Sequence, residues 1–407
     1  MDGNLLLGVI ALCAVVATLL GMASVWLATR PATVPGTDDF TPPITIFKPL
    51  KGLDEELEAN LRSFFQLDYP RHQLLFGVAD KNDPAVVVVN RLIDEFPDRD
   101  ARLIIGGPTL GYNPKVGNLI AMDRFRKHDI LLISDSNVRA RPSYLKETVC
   151  YLKNPSVGLV TNLFAGVGEQ ALGGKLENLH LNGYIAAGVA LAKMFGCTCV
   201  VGKSMMMRGQ ALEAIGGFAS VRNLLAEDQV IGMKTRKAGY SIKLSHHVVE
   251  NVNQVRGLSW FLNRHSRWFK IRRRLALPAF LFEPFANLGI IGVVWALSGD
   301  SGIAWGGLVG LVGLGIARDA LQSKRLRGEF PAFRTLLLSP VKDLFLLPIW
   351  FDALVNQRVQ WRGHRLLVSR WTRLHAPRGD MRRLRRRLRQ QKQNRKARLR
   401  LQRSEGV

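Results

Sequence analysis

The N-terminal part of the chain contains a long apolar run. Residues Leu5–Ala28 are 24 consecutive positions without a charged side chain, whereas a helix that spans a bilayer needs about 20 residues. No Lys or Arg precedes the run, which argues against a cleaved signal peptide, and Arg30 follows it. The sequence therefore predicts a transmembrane helix within residues 1–30, with its N-terminus outside, because positive charge favours the cytoplasmic side.

Three further apolar stretches lie near the C-terminus, within residues 275–356. Residues 275–299 contain one charged side chain, Glu283, and residues 301–317 contain none, so the two predict a hairpin through the membrane. Residues 335–356 are interrupted by two prolines and three charged residues. Because a charge in mid-span costs about 2.5–3.5 kcal/mol on insertion scales, we expect a re-entrant or interfacial segment there.

Strand-like and helix-like patterns alternate within residues 31–274. This alternation predicts an α/β domain with a parallel sheet and helices on both faces. In such a domain, ligands bind at the carboxyl ends of the strands. The predicted strands are residues 44–47, 73–79, 101–105 and 129–134, and the helices between them are residues 53–65, 84–96 and 115–127.

Charge is concentrated at the C-terminus. Residues 357–407 carry 18 Lys and Arg against two acidic residues, a net charge of +16 out of +25 for the whole 407-residue chain. Such a block is typical of a solvated tail that binds anionic lipid or nucleic acid. Since Trp361 and Trp371 are its only aromatic residues, base stacking has little support, and we expect a cytoplasmic tail on anionic phospholipid with no nucleic-acid partner.

Acidic residues follow two of the predicted strands. Asp80 and Asp83 come after residues 73–79, and Asp135 comes after residues 129–134. Carboxylates at two strand ends suit a ribose or base hydroxyl and a divalent cation that bridges phosphates. Taken singly, Asp83 equally fits a helix cap and Asp135 an Asx-turn.

Two later motifs carry further candidate chemistry. Glu227 and Asp228 stand at the predicted start of a helix, where acidic residues also simply complement the helix dipole. Arg264, Arg267 and Trp268 precede the predicted hairpin, where a basic and aromatic cluster also serves as a membrane anchor. The two arginines share one helix face and can bind one diphosphate.

Taken in order, Asp83, Asp135, Asp228 and Arg264-x-x-Arg267-Trp268 resemble the D, D, D, (Q/R)-x-x-R-W signature of membrane-bound GT-A glycosyltransferases. The flanking words resemble the ceramide glucosyltransferase family over about residues 42–278. These words are PPITIFKPLKGLDEELEANLRSFFQLDYP, ARLIIGGPTLGYNPKVGNL, SDSNVR, VVGKSMMMR and AED.

The resemblance implies a GT-A domain and an inverting transfer of glucose from UDP-glucose to the hydroxyl of ceramide or a similar lipid. We expect a multi-pass protein of a bacterial inner membrane, with its active site facing the cytoplasm. An unactivated alcohol needs a base, and the departing UDP needs positive charge, so the implied residues agree with the chemistry.

The resemblance also implies a role for each matching residue. Asp228 is the general base, Arg267 and Trp268 complete the catalytic set, and Asp135 holds Mg²⁺ or Mn²⁺ on the diphosphate. The implied donor-binding residues are Lys48, Asp80, Asp83, Asn113, Lys115 and Arg264, and the implied acceptor-binding residues are His180 and Glu227.

Two other functions remain open from the sequence. A hopanoid glycosyltransferase that uses UDP-N-acetylglucosamine has similar motifs around its acidic residues and its Arg-Trp pair. A non-enzymatic membrane anchor that binds polyanions through residues 357–407 belongs to a different class. A processive polysaccharide synthase fits less well, because such enzymes generally have more membrane spans.

Overall fold

The computed structural model describes residues 3–31, 40–106, 111–298, 302–361 and 363–376. The strands are β1 (Ile44–Pro49), β2 (His72–Val78), β3 (Ala101–Ile105), β4 (Ile130–Ser134), β5 (Val138–Arg139), β6 (Val157–Val167), β7 (Ser204–Arg208), β8 (Ser241–Val252), β9 (Arg358–Trp361), β10 (His364–Val368) and β11 (Leu374–His375).

The helices of the described residues surround these strands and extend beyond them. They are α1 (Gly3–Ala28), α2 (Leu57–Phe65), α3 (Ala85–Glu95), α4 (Pro114–Asp123), α5 (Tyr144–Val149), α6 (Leu172–His180), α7 (Ala186–Met194), α8 (Gly209–Ala214), α9 (Glu227–Lys237), α10 (Leu258–Leu275), α11 (Leu277–Phe282), α12 (Leu288–Ser298), α13 (Gly302–Arg327), α14 (Phe333–Leu336) and α15 (Ser339–Val355).

The central sheet has the strand order β3-β2-β1-β4-β7-β6-β8-β5. The neighbours β3, β2, β1 and β4 are parallel, which confirms the predicted α/β pattern. Every residue of β1, β2 and β4 is buried, as expected for strands with apolar sequences and helices on both faces. Beyond the four predicted strands the sheet is mixed, because β7 runs antiparallel to both β4 and β6.

The candidate membrane spans lie at the two ends of the α/β domain. Residues Leu5–Ala28 and Gly302–Arg327 are the helices of the described chain that are long and apolar enough to cross a bilayer. The segments Leu277–Ala286 and Leu288–Ser298 meet at a bend of 57° and form a third span if they act together. The predicted span at residues 275–299 is thus a bent pair, and Asn287, at the break, has an extended backbone.

A buried ionic cluster joins α13 to α15. Asp319 accepts hydrogen bonds from Arg318 at 2.9 Å and Lys342 at 2.6 Å, and its side chain and that of Lys342 are fully buried. Ser339 donates a further bond to Asp319 at 2.8 Å. These contacts explain why residues 335–356, with charges in mid-segment, form a helix packed against α13: the charges face partners rather than lipid.

The helix α6 continues into α7 through a π-helical segment, Leu181–Ile185. Within it, Gly183 allows α13 to approach closely, because a Cβ atom at this position would lie 1.9 Å from Asp319 Oδ1. The π-helical segment therefore packs against the candidate span α13 at a point where no side chain fits.

The C-terminal segment differs from the basic tail predicted over residues 357–407. Strands β9, β10 and β11 form a second, antiparallel sheet, which we call the C-terminal sheet. Its apolar residues Val359, Leu366, Val368 and Leu374 pack with Leu225 of the α/β domain. The prediction of a tail rested on the number of charged residues and did not take account of the apolar residues between them. The rest of the predicted tail, residues 377–407, lies outside the described residues.

Replacing Lys342 by Met should destabilise the protein by about 3–5 kcal/mol, because one partner of a buried charge is removed. The thermal unfolding midpoint in detergent measures the effect. Lys324→Met is the matched control, since Lys324 lies exposed on α13, the helix that carries Asp319. Equal midpoints for the two variants would contradict a stabilising role for the cluster around Asp319.

Candidate active site

A cavity of about 1630 Å³ opens at the carboxyl ends of β1, β2 and β4. Since these strands are parallel neighbours, the loops that follow them converge at one edge of the sheet. The cavity extends from this edge to the membrane helices, where Gly21 of α1 and Ala279 of α11 line it. The predicted site residues that line it are Asp80, Asp83, Lys115, Asp135, Glu227, Asp228, Arg264, Arg267 and Trp268.

Asp135 is held between two lysines. Its Oδ1 lies 2.8 Å from Lys115 Nζ, and its Oδ2 lies 3.0 Å from Lys203 Nζ. Burial alone would raise the pKa of Asp135, but the charges of Lys115 and Lys203 outweigh burial and hold the pKa below its ordinary value. Asp135 is therefore ionised at neutral pH.

Lys115 joins this aspartate to the start of α9. Its Nζ lies 3.0 Å from Glu227 Oε1, and Asn113 Nδ2 donates to Glu227 Oε2 at 3.0 Å. Although burial opposes the charge on Lys115, Asp135 and Glu227 raise its pKa above the ordinary value. The local sequence explains the position of Lys115, because Asn113 caps α4 through Val116 N and a proline occupies the first turn.

Asp228 is the acid of the site with a raised pKa. Its Oδ2 accepts a hydrogen bond from Gly202 N at 2.9 Å, and its Oδ1 accepts one from Gln229 N at 2.8 Å. Burial and the neighbouring charge of Glu227 raise the pKa of Asp228 to about 6. Asp228 is thus mostly ionised at pH 7 yet more basic than an ordinary aspartate, which suits a general base.

The two acids after β2 are organised by local hydrogen bonds. Both carboxylate oxygens of Asp83 accept from Gly52 N at 3.0 Å, and Oδ1 also accepts from Ala85 N at 2.9 Å. Asp83 therefore caps the start of α3, one of the alternatives left open by the sequence, while it also lines the cavity. Asp80 accepts from Asn82 N at 2.9 Å and forms an Asx-turn.

Arg264 is fixed by a buried carboxylate behind it. Its Nε lies 3.0 Å from Glu177 Oε1, and its guanidinium carbon lies 4.6 Å from the Trp268 ring and 5.1 Å from the Trp260 ring. Burial would raise the pKa of Glu177, but Arg264 and His265 lower it below the ordinary value. The Arg-x-x-Arg-Trp motif thus lies on α10 with its first arginine already oriented.

Three predicted site residues are not part of the cavity wall in the described chain. Lys48 is fully buried and donates to the Asp135 backbone oxygen at 2.6 Å, so it supports the loop after β4. Asn113 supports Glu227. His180 is buried, with its ring stacked on Tyr184 at 5.2 Å. Direct donor contacts by Lys48 and Asn113 and an acceptor contact by His180 remain predictions.

Several residues of the site were missed by the sequence reasoning. Lys203 lies in the VVGKSMMMR motif, but the family resemblance implies no role for this lysine. Glu177 does not belong to any motif recognised in the sequence. The residues Gln360, Trp361 and His364 of the C-terminal sheet also line the cavity, although they fall in the segment predicted as a tail. An isolated lysine before a strand-like run was the available signal for Lys203.

The ligand set suits a divalent cation only in part. Asp135 and Asn137 offer the oxygen ligands that Mg²⁺ and Mn²⁺ prefer. Both Asp135 oxygens pair with lysines, and Asn137 Oδ1 accepts from Lys203 at 2.6 Å. No group of three His, Cys, Asp or Glu among the described residues is arranged to hold a metal. A divalent cation at this site would therefore have one carboxylate ligand from the protein, Asp135. Its remaining ligands would come from a diphosphate and from water.

The cavity combines a carboxylate of raised pKa, that of Asp228, with a group of positively charged side chains on its wall. Asp228 can accept a proton from an alcohol at one side of the cavity. Lys115, Lys203, Arg264 and Arg267 line the same cavity and can supply positive charge to a leaving diphosphate. A transfer reaction from a nucleotide-activated donor is the chemistry that uses both features.

The sequence is similar to several ceramide glucosyltransferases. Ceramide glucosyltransferase 3 of Caenorhabditis elegans is 28% identical over 346 residues, which cover 80% of this chain and 73% of the relative. Ceramide glucosyltransferase 1 of the same organism is 30% identical over 261 residues, or 64% of this chain and 56% of the relative. The ceramide glucosyltransferase of Komagataella phaffii is 23% identical over 418 residues, covering 80% and 82%.

A solved structure shares the fold. The mannosyltransferase PcManGT from Pyrobaculum calidifontis, in complex with GDP-Man and Mn²⁺, superimposes with a TM-score of 0.52 at 17% identity. The match covers 86% of this chain and 99% of that chain. This likeness confirms the GT-A fold that the motifs predicted.

The family assignment rests on nearly the whole described chain. The model of glycosyl transferase family 21 matches residues 6–374, from the first membrane helix to the C-terminal sheet. With the aspartates and the Arg-x-x-Arg-Trp motif around one cavity, this match makes the protein an enzyme that transfers sugars, and the chain belongs to glycosyl transferase family 21.

Proposed function

We propose that the protein transfers glucose from UDP-glucose to the hydroxyl of ceramide or a similar membrane lipid, with inversion at the anomeric carbon. The observation that carries the proposal is the position of Asp228. Its carboxylate, with a pKa raised to about 6, lines the same cavity as Lys115, Lys203 and Asp135. The names of the relatives support glucose as the sugar and ceramide as the acceptor.

The donor binds with its uridine toward Asp80 and Asp83 and its diphosphate toward the lysines. Lys115 and Lys203 both pair with Asp135. A diphosphate brings its own negative charge, so the two ammonium groups can share their hydrogen bonds between Asp135 and phosphate oxygens. Arg264 and Arg267 approach the same region from α10.

The reaction needs one base and no acid from the protein. Asp228 removes the proton of the acceptor hydroxyl while the oxygen attacks the anomeric carbon from the side opposite the diphosphate. The departing UDP is stabilised by cations, which interact more strongly with the transition state than with the bound donor. One displacement inverts the anomeric centre and gives a β-glucoside.

Asp135 is the residue that would hold Mg²⁺ or Mn²⁺, together with the diphosphate of the donor. Such an ion would neutralise charge on the leaving group. The Mn²⁺ and GDP-Man bound to the mannosyltransferase of the same fold are consistent with this assignment. Lys115 and Lys203 keep Asp135 ionised, and therefore able to act as a ligand.

The acceptor reaches the site from the bilayer. A two-chain lipid leaves a membrane at a cost of about 0.8 kcal/mol per CH₂ group, so the site must come to the lipid. The cavity wall includes Ala17, Thr18 and Gly21 of the candidate span α1, together with Ala279 of α11 and Ala286, which shortly precedes α12. This continuity favours a lipid acceptor over a soluble one.

The proposed location is a bacterial inner membrane, with several spans and the active site on the cytoplasmic side. The charge difference between the two ends of α1 supports this orientation, since Arg30 follows the apolar run and no Lys or Arg precedes it. Residues 377–407 carry the basic segment proposed to bind anionic phospholipid.

Purified protein in phospholipid vesicles should transfer labelled glucose from UDP-glucose to ceramide. Asp228→Asn should reduce this rate about 100- to 10,000-fold, because the base is lost, and donor affinity should remain, because the amide oxygen can still accept a backbone hydrogen bond. Product chromatography and donor titration measure the two effects. Transfer of N-acetylglucosamine to a hopanoid polyol, with none to ceramide, would overturn the proposed sugar and acceptor.

Asp135→Ala should weaken UDP-glucose binding at least tenfold, about 1.4 kcal/mol, and should abolish the response of binding to Mn²⁺. The variant removes the proposed ligand and leaves two lysines without their shared partner. Calorimetric titration of UDP-glucose with and without Mn²⁺ makes the measurement. Asp123→Ala, a change on the far end of α4, is the control; an unchanged metal response in Asp135→Ala would contradict the proposal.

The activity should fall as the pH drops below about 6, because Asp228 must be deprotonated and its pKa is raised to about 6. Glu227→Gln removes a charge that raises this pKa, so the acid limb of kcat/KM should move to lower pH. Profiles between about pH 5 and 8 test both statements. Glu58→Gln on the surface is the control, and an acid limb that stays in place in Glu227→Gln would refute the coupling.

A further inference from the structure

The C-terminal sheet is bonded to the segment that carries the acidic pair of the site. Leu225 N donates to the Thr372 backbone oxygen at 2.9 Å, and Ala226 N donates to Thr372 Oγ1 at 3.3 Å. On the other side of the turn, Leu374 N donates to Asn223 O at 2.8 Å. A residue 146 positions away in the sequence thus contacts the backbone directly before Glu227 and Asp228.

The start of α9 lacks a cap from its own sequence. Its N-cap residue is Ala226, whose side chain cannot accept a hydrogen bond. Backbone amides at the start of a helix require partners outside the helix. The hydroxyl of Thr372 supplies a partner for the amide of Ala226, the N-cap amide that the side chain of an N3 Glu or Gln satisfies in a capping box.

Thr372 adopts a backbone conformation that its side chain disfavours. Its φ angle is 57°, and that of Trp371 is 59°; Glu56 is the other non-glycine residue of the described chain with a positive φ. A positive φ is a marked outlier for a β-branched residue, and such strain persists only when the surrounding structure imposes it. Thr372 is fully buried, so this conformation is imposed by packing and hydrogen bonds.

The C-terminal sheet also contacts the helix of the Arg-x-x-Arg-Trp motif. Lys270 Nζ of α10 donates to Arg358 O at 2.9 Å, and Asn263 Nδ2 donates to Gln360 O at 3.3 Å. Trp361 and His364, on either side of the β9–β10 turn, line the cavity. The sheet therefore bridges α9 and α10, the two helices that carry the base and the arginines.

We propose that Thr372 is a positioning residue for Asp228: its hydroxyl and carbonyl hold the Leu225–Ala226 backbone, and the C-terminal sheet thereby sets the carboxylate of Asp228 against Gly202. This inference rests on the proposed role of Asp228 as the base. The side chain of Leu225 is held by the same sheet through Val359, Leu366 and Val368. The C-terminal sheet therefore holds both the backbone and the Leu225 side chain of the segment that precedes Asp228.

Thr372→Ala removes the hydroxyl and leaves the carbonyl. We expect kcat for sugar transfer to fall at least tenfold, while KM for UDP-glucose changes less than twofold, because the donor-binding lysines lie on other segments. The acid limb of the pH profile should also move below that of the unchanged protein, since a loosened α9 exposes Asp228 to water. Thr372→Ser keeps a hydroxyl at this position. Its kcat and the acid limb of its pH profile should therefore match those of the unchanged protein.

Two control variants separate this role from a merely structural one. Ser369→Ala removes a hydroxyl from the same turn that bonds Arg373 and His375 rather than the acidic segment. Trp371→Gly relieves a neighbouring positive φ without touching that segment. Both should keep kcat and the pH profile. If Thr372→Ala does not accumulate, Thr372→Gly, which loses the hydroxyl and tolerates the φ angle, takes its place with the same expectation.

Three results would overturn the inference. One is an unchanged kcat in Thr372→Ala. Another is a Thr372→Ser variant as slow as Thr372→Ala, which would assign the effect to the methyl group or the fold. The third is a loss of kcat that follows the loss of thermal midpoint to the same degree in the Thr372 variants and in the two controls. Absence of sugar transfer by the unchanged protein would instead remove the proposed function, and the positioning role with it.

Discussion

The ion pairs of Lys115 with Asp135 and Glu227 hold the site together. They join the loop after β4, the start of α4 and the start of α9, three segments far apart in sequence. Two carboxylates in a partly buried cavity repel each other unless a cation lies between them, and Lys115 is that cation. The two acids differ in their pKa: Lys115 and Lys203 hold the pKa of Asp135 below its ordinary value, while burial and the charge of Glu227 raise the pKa of Asp228 to about 6.

The site is built into the junction between the α/β domain and the membrane helices. Glu177 of α6 fixes Arg264 of α10, and α6 continues through its π-helical turn into α7. In turn, α7 packs on α1, where Gly21 leaves room for Ala187. Close contacts thus link Arg264 of α10, through α6 and α7, to the first candidate span, α1. Under the proposed function, this continuity would give a lipid hydroxyl access to Asp228, the proposed base, without taking the acyl chains out of the bilayer.

The sequence predicted the parts of the site that depend on local rules. Apolar runs of strand length predicted β1, β2, β3 and β4, and the loops after parallel strands must meet at one edge, which brought Asp80, Asp83 and Asp135 together. The antiparallel strand β7 was not predicted, because the direction of a strand depends on its neighbours and not on its own residues. The same is true of Lys203, which reaches Asp135 because β7 lies beside β4.

By itself, the sequence determined the family, the α/β domain, the first candidate span and the acids and arginines of the site, because hydrophobic period, chain length and motif order are properties of contiguous residues. Tertiary structure alone decided which lysine pairs with which carboxylate, why the pKa of Asp228 is raised, and that residues counted as a basic tail form a sheet against α9 and α10. Contacts such as that of Thr372 with Ala226, 146 positions apart, depend on packing that brings distant segments into contact, and no local pattern encodes that packing.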